Sequence, residues 1–284
     1  MAAQLLDGRS VAGQIRDEVA ASASAFIQEK GRTAKLALVR VGEDPASVSY
    51  ARMIQRSCGQ VGIGFDPTIL AAETDMAPVL DVLTALSADD GIDGIILQEP
   101  LPRGLDRDAA IAAIAPAKDV DGVHPLNAGK LLQGAGEYLA PATPSGGVEL
   151  LERYGVAIAG QRAVVVGRSN VVGRPMALLL LHRNATVTVC HSRTADLAEE
   201  CRRAQILVAA TGKAGLIQGD MVAPGAAVID FGVNYVGERM VGDVDFAAAS
   251  ERAGWITPVP GGTGPMTNVM LMRNVVKAAR ARAV

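Results

Sequence analysis

The stretch AVVVGRSNVVG, residues 163–173, decides the fold. Ala163 to Val166 reads as a buried strand, and Gly167 breaks it into a turn that closes at Gly173. Pro175 then falls near the first turn of a helix, where its missing N–H costs little. A strand, a glycine turn and a helix N-terminus make a phosphate site, because backbone N–H groups approach the anion and the helix dipole favours negative charge. The spacing departs from G-x-G-x-x-G, so on spacing alone a tight strand-to-helix turn reads equally well. The neighbours favour a dinucleotide. An ordinary fingerprint places a carboxylate about 20 residues on, against the ribose 2′-hydroxyl. Here the next strand, TVTVC (186–190), ends in His191-Ser192-Arg193-Thr194 and has no carboxylate. Ser192 and Arg193, with Arg168 at the end of the first strand, suit a 2′-phosphate. NADP is therefore expected over NAD.

Working outward, the second half continues with a helix over Ala195–Ala204 and strands over Ile206–Ala210 and Ala227–Phe231. The closing run, 268–283, has helical spacing at Val269, Met272, Val276 and Ala279. In the first half, Val11–Gln28 places Val11, Ile15, Val19 and Phe26 on one helical face. Strands over Lys35–Val41, Asp66–Leu70 and Gly94–Leu97 alternate with helices over Ala46–Val61 and Ala77–Leu86. Strands separated by helices imply parallel pairing with right-handed crossovers. Lys118–Gly147, rich in Gly, Pro and Asn, reads as a connecting region. Two domains follow, at 1–120 and 140–265.

Composition sets the outer bounds. The chain has 284 residues, 49% hydrophobic and 20% charged, which excludes a disordered chain. Aromatics make up only 3%, so the core is aliphatic and base-stacking platforms for single-stranded nucleic acid are not expected. A net charge of −3 gives no basic field for DNA or anionic lipid. Cys58, Cys190 and Cys201 form no CxxC pair, and no metal site is expected. The first ten residues hold no apolar run, and no stretch is long enough to span a bilayer. The expectation is a reduced, cytoplasmic protein that binds neither nucleic acid nor membrane.

At this point the sequence resembles the bifunctional methylenetetrahydrofolate dehydrogenase/methenyltetrahydrofolate cyclohydrolase family, of the bacterial FolD type. The blocks that carry the resemblance are VGEDPASVSY (41–50), GIILQEPLP (94–102), KDVDGVHPLNAG (118–129) and TPSGG (143–147). VVVGRSNVVGRP (164–175), TVTVCHSRT (186–194), GDVDF (242–246) and PVPGGTGPMT (258–267) follow in the same order. The resemblance implies two α/β domains flanking a cleft, the second a Rossmann-type NAD(P)-binding domain, with the closing helix returning to the first. It implies a homodimer, tetrahydrofolate derivatives as substrates and NADP as cofactor. By motif, Tyr50 would stack on the folate, Gln98 would bond the catalytic lysine and the reacting region, and Asp121 would pair with the pterin edge. Pro100 would line the same substrate site. Gly261, Gly262 and Pro265 would form the loop beside folate and nicotinamide. Gly167, Arg168, Ser169, Ser192, Arg193 and Val233 would contact NADP.

The departures are informative. The family pattern YxxxK reads here Tyr50-Ala51-Arg52-Met53-Ile54, so Ile54 stands at the lysine position. Glu99 stands where the family usually has Leu, Ala142 replaces a frequent Cys, and Thr263 replaces a usual Val. The expectation is an NADP-dependent dehydrogenase with a weak or lost cyclohydrolase. A complete bifunctional enzyme and a silent folate-binding paralogue are the alternatives. A shikimate-dehydrogenase-like reading shares the two-domain plan but lacks the folate motifs.

Overall fold

The computed structural model describes residues 3–282. Residues 1, 2, 283 and 284 lie outside the described residues, among them the start of the expected first domain and Ala283 of the expected closing helix. In chain order the elements begin β1 (Gln4–Leu5), α1 (Gly8–Lys30), β2 (Lys35–Val41), α2 (Pro45–Val61), β3 (Gly64–Leu70), α3 (Met76–Ala88) and β4 (Gly94–Leu97). Next come α4 (Arg107–Ala112), α5 (Pro125–Gln133), α6 (Ala142–Arg153), β5 (Arg162–Val166), α7 (Gly173–Leu181), β6 (Thr186–Cys190), α8 (Leu197–Arg202) and β7 (Ile206–Ala209). The order closes with β8 (Ala227–Asp230), β9 (Asn234–Val236), β10 (Arg239–Val241), α9 (Phe246–Ser250), β11 (Trp255–Ile256) and α10 (Thr263–Arg282).

The chain divides into two compact units. The first holds Gln14–Ala142 and the chain from Asn268 on; the second holds Thr143–Thr267 and the chain up to Gly13. This differs from the expected span 1–120. The start of the chain goes with the second unit because β1 pairs in parallel with β11, Gln4 opposite Trp255 and Leu5 opposite Ile256.

In the first unit a parallel three-stranded sheet has the order β3-β2-β4. Leu36 and Leu38 of β2 are buried as fully as Ala37 and Val39, so this central strand is covered on both faces. Pro67 sits in β3, an edge strand, where a missing donor is tolerated. Helix α2 starts where its caps require: Asp44 accepts the Ser47 N–H at 2.9 Å, Pro45 occupies the first turn, and Gly62 at φ 74° closes it.

In the second unit a six-stranded sheet runs β1-β11-β8-β7-β5-β6, with every pair parallel. From β5 the chain crosses to β6 on one side, then returns to β7 on the other. That reversal is a topological switch point, the place where doubly wound sheets bind nucleotides. Val164, Val166, Leu207, Ala209, Val228 and Ile256 form its core with Cys190 and Cys201.

The expected connecting region 118–147 contains helix α5 and the start of α6. Composition hid both. His124 caps α5 through its Nδ1, Pro125 opens it, and Gly134 at φ 63° ends it. In α6 the glycines face crowded neighbours: a Cβ on Gly146 would lie 2.7 Å from Met266 Cβ, and one on Gly147 2.5 Å from Phe231 Cζ. They are there for close approach, although glycine weakens a helix by about 1 kcal/mol. The expected helix over 195–204 is the shorter Leu197–Arg202, and α10 begins five residues earlier than expected, at Thr263.

Helix α10 also holds the segment around Asp121 in place. Asn274, buried, donates from Nδ2 to Val120 O at 2.8 Å and to Ala140 O at 2.9 Å. Asn274→Ala leaves both carbonyls without this donor and is expected to cost about 1–3 kcal/mol, read as a lower urea midpoint.

Candidate active site

In the first unit, the strand order reverses at β2, so a crevice opens at the carboxyl ends of β2 and β4. The sequence places its chemistry there. Helix α2 follows β2 and carries Tyr50 and Ile54, while Gln98 comes directly after β4. Gln98 is buried; its Nε2 donates to Ser47 O, and among the described residues no donor reaches its buried Oε1. Ser47 and Ile54 are both buried and stand seven residues apart, two helical turns, on one face of α2. Tyr50 lies between them at helical spacing. Ile54 is completely buried, at 0% exposure. Pro100 follows a cis Glu99–Pro100 peptide.

Asp121 stands on a loop that its own motif builds. Asp119 accepts the Val123 N–H at 3.2 Å, the His124 N–H at 2.8 Å and the Asn127 side-chain amide at 2.8 Å. Lys118 closes α3 by donating to Leu86 O and Asp89 O. His124 is thus a helix cap. Among the described residues no donor reaches the Asp121 carboxylate. Burial, then the charges of Asp119 and Glu99, push it up to about 6, against the opposing Arg107. The Tyr50 phenol is raised as well, by burial first and then by the Asp121 charge, so it stays neutral across the physiological range. Sequence reasoning missed Arg107: its Nε pairs with Glu99 at 2.8 Å, which gives that unusual carboxylate a partner. No spacing rule signals such a pair.

In the second unit, the loop after β5 lies at the switch point. Gly167 has φ 126°, and a Cβ there would lie 2.1 Å from Ala210 O; one on Gly173 would lie 2.2 Å from Gly167 O. Only glycine fits this strand–turn–helix approach. Ser169 accepts the Val172 and Gly173 N–H groups at 3.1 and 3.3 Å, which shapes the turn at the start of α7. After β6, a tight turn over 191–194 is closed by His191 N–H on Thr194 Oγ1 and Arg193 N–H on His191 Nδ1. Ser192, Arg193 and Arg168 are exposed, and among the described residues neither arginine meets a carboxylate. Val233, after β8, is 59% exposed. Gly261 and Gly262 pack on the start of α1, with Gly8 N–H donating to Gly261 O at 3.0 Å, whereas Pro265, expected in the same loop, lies in the first turn of α10. The residues expected to touch substrate or cofactor therefore group as Tyr50, Gln98, Pro100 and Asp121, with Ile54, in the first unit and Gly167, Arg168, Ser169, Ser192, Arg193, Val233, Gly261, Gly262 and Pro265 in the second.

Comparison with known proteins matches both halves. Residues 6–121 fit the family model described as tetrahydrofolate dehydrogenase/cyclohydrolase, catalytic domain, and residues 141–283 fit the NAD(P)-binding domain of the same family. A bifunctional protein FolD of Chloroflexus aurantiacus is 54% identical over 283 residues, covering 99% of each chain. The crystal structure of a FolD methylenetetrahydrofolate dehydrogenase/cyclohydrolase from Campylobacter jejuni superposes with a TM-score of 0.97 at 40% identity, covering 99% of this chain and 100% of that one. The Trypanosoma brucei dehydrogenase-cyclohydrolase, solved with NADP and an inhibitor, gives a TM-score of 0.95 at 36% identity, covering 100% and 99%.

Proposed function

The chain belongs to the tetrahydrofolate dehydrogenase/cyclohydrolase family, and from that premise we propose that it oxidises 5,10-methylenetetrahydrofolate with NADP while its cyclohydrolase step is weak or lost. One observation carries the reading: Ile54 fills the position expected for the lysine with a fully buried aliphatic side chain that has no proton to exchange.

The two reactions ask different things of these residues. Hydride leaves the methylene carbon with its electron pair for the nicotinamide, and needs mainly aligned ligands. The cofactor turn at Gly167–Gly173 is intact, and Arg168, Ser192 and Arg193 offer two cations and a hydroxyl to a 2′-phosphate. Water attack on the methenyl carbon needs a group to take a proton. Isoleucine has none, and Arg52 and Arg56 point away from the Tyr50 face at about 200° and 240° around the helix. Positioned acid–base groups are worth about 10²–10⁴-fold. The names of the bifunctional relatives favour a second reading, in which another group supplies this step and both activities persist.

Purified protein given methenyltetrahydrofolate is expected to hydrolyse it no faster than about twice the uncatalysed background, while methylenetetrahydrofolate and NADP yield NADPH. Hydrolysis well above background supports the second reading instead. Ile54→Lys is expected to raise hydrolysis by about tenfold or more.

The Arg193→Ala variant should have a raised KM for NADP and an almost unchanged one for NAD, measured as NADPH or NADH formation. Equal kcat/KM for the two cofactors in the unaltered protein would count against NADP preference.

Asp121 receives the pterin donor fork only as a carboxylate, since a protonated carboxyl offers one acceptor fewer and an O–H. With its carboxyl pushed up to about 6, folate KM should be flat above that pH and rise as pH falls through it. In Asp121→Ala that limb disappears and folate KM is high throughout. A folate KM independent of pH between 5 and 7 in the unaltered protein removes Asp121 from this role.

A further inference from the structure

Two buried carboxylates in the second unit, Asp230 and Asp243, tie together the loops at the carboxyl ends of its sheet. Asp243 Oδ2 accepts the Thr211 N–H at 2.5 Å, the Thr211 hydroxyl at 2.9 Å and the Gly212 N–H at 2.9 Å. Its Oδ1 accepts the Asn234 amide at 2.9 Å. Asp230, the last residue of β8, accepts the Gly232 N–H at 2.7 Å, the Asp243 N–H at 3.1 Å and the Val244 N–H at 2.9 Å. Its own N–H donates to Thr257 Oγ1, and its carbonyl accepts the Thr263 hydroxyl.

The pattern of these contacts is specific. Thr211 and Gly212 follow β7, Gly232 to Asn234 follow β8, and Thr257 and Thr263 follow β11. All lie where a doubly wound sheet meets its nucleotide. Val233 is exposed, but Gly232 before it is held by Asp230 and Asn234 after it by Asp243. Thr263 is fixed directly after Gly261 and Gly262. The chemistry demands acceptors. Main-chain N–H groups can only donate, so Asp243 must present acceptors, and a carboxylate accepts at both oxygens. There is no room to evade the contact: a Cβ on Gly242 would lie 1.9 Å from Asp230 Oδ2. Placing two acids side by side is costly. Burial, and then the Asp243 charge, hold Asp230 up near 6 in spite of its three N–H donors.

We propose that Asp243, acting with Asp230, is a positioning residue for the dinucleotide: it fixes the Thr211–Gly212 turn and the Val233 segment and thereby sets cofactor affinity without touching the cofactor. This rests on the reading that NADP binds over these strand ends.

The test is titration of NADPH fluorescence against the full-length protein, beside folate KM and a thermal melt. Asp243→Ala removes every acceptor and is expected to weaken NADPH by about tenfold or more with folate KM unchanged. Asp243→Asn keeps one oxygen for Thr211 and Gly212, and the Asn234 amide can turn to accept from its new NH₂ group. It should recover most of the affinity. Asn234→Ala, which loses a single bond beside Val233, is the variant to use if Asp243→Ala does not fold; it should weaken NADPH by about threefold. A lower melting temperature with unchanged NADPH affinity in these variants overturns the proposal, because the clasp is then only scaffold. Failure of the unaltered protein to bind NADPH overturns the dinucleotide reading along with it.

Discussion

Parallel pairing obliges each strand to return through a crossover, so in the two parallel sheets all strands finish on the same edge. Covered faces leave little choice about what the strands are made of, and β2, β4, β5, β7 and β8 are aliphatic nearly throughout. The edge of strand ends is where the backbone is freed from the ladder. Reversing the strand order there, at β2 in one unit and β5 in the other, separates two adjacent loops and opens a crevice between them. The chemistry-bearing residues follow from that constraint. Gln98 comes straight after β4, Gly167 straight after β5, and Asp230 ends β8.

How much of this could be read from sequence depends on where the determining neighbours lie. Strands such as Thr186–Cys190 and Gly94–Leu97 are dictated by their own residues, and their expected limits coincide with those observed. Helix α6 is dictated from elsewhere, because its glycines answer to Met266 and Phe231, far along the chain. Two-residue strands such as β1 and β11 are too short to show a period, so the partition of the first residues into the second unit was invisible. The site divides in the same way. Gly167 and Gly173 announce a turn by type and spacing, whereas Tyr50, Gln98 and Asp121 draw their reading from a resemblance carried by whole motifs. Asp230 falls in an expected strand and Asp243 in the GDVDF block, but neither placement signals the contacts that their burial reveals.

The two departures near the substrate side differ in how the fold absorbs them. Glu99 gains a partner in Arg107 at the first turn of α4 and stays partly in water. A pair of that kind is worth about 0–1 kcal/mol, so it neither strains the loop nor anchors it. Its consequence is electrostatic, because its charge acts on Asp121 in one direction and Arg107 acts in the other.

Ile54 is absorbed by burial instead. A lysine on this face would have to keep an ammonium away from water, at a cost only a partner such as Gln98 Oε1 can offset. Isoleucine removes that cost and adds about 1.5–3 kcal/mol of apolar burial. On the proposed reading, the helix is stabilised by the same residue that leaves it without a proton carrier. Residues that stabilise a site at the expense of its chemistry are a general outcome where function requires a strained or charged group. On that reading hydride transfer is insulated from the exchange, because moving a hydride to the nicotinamide draws on no proton from α2. On the proposed reading, the same helix serves one reaction of the family while its face toward the other is closed.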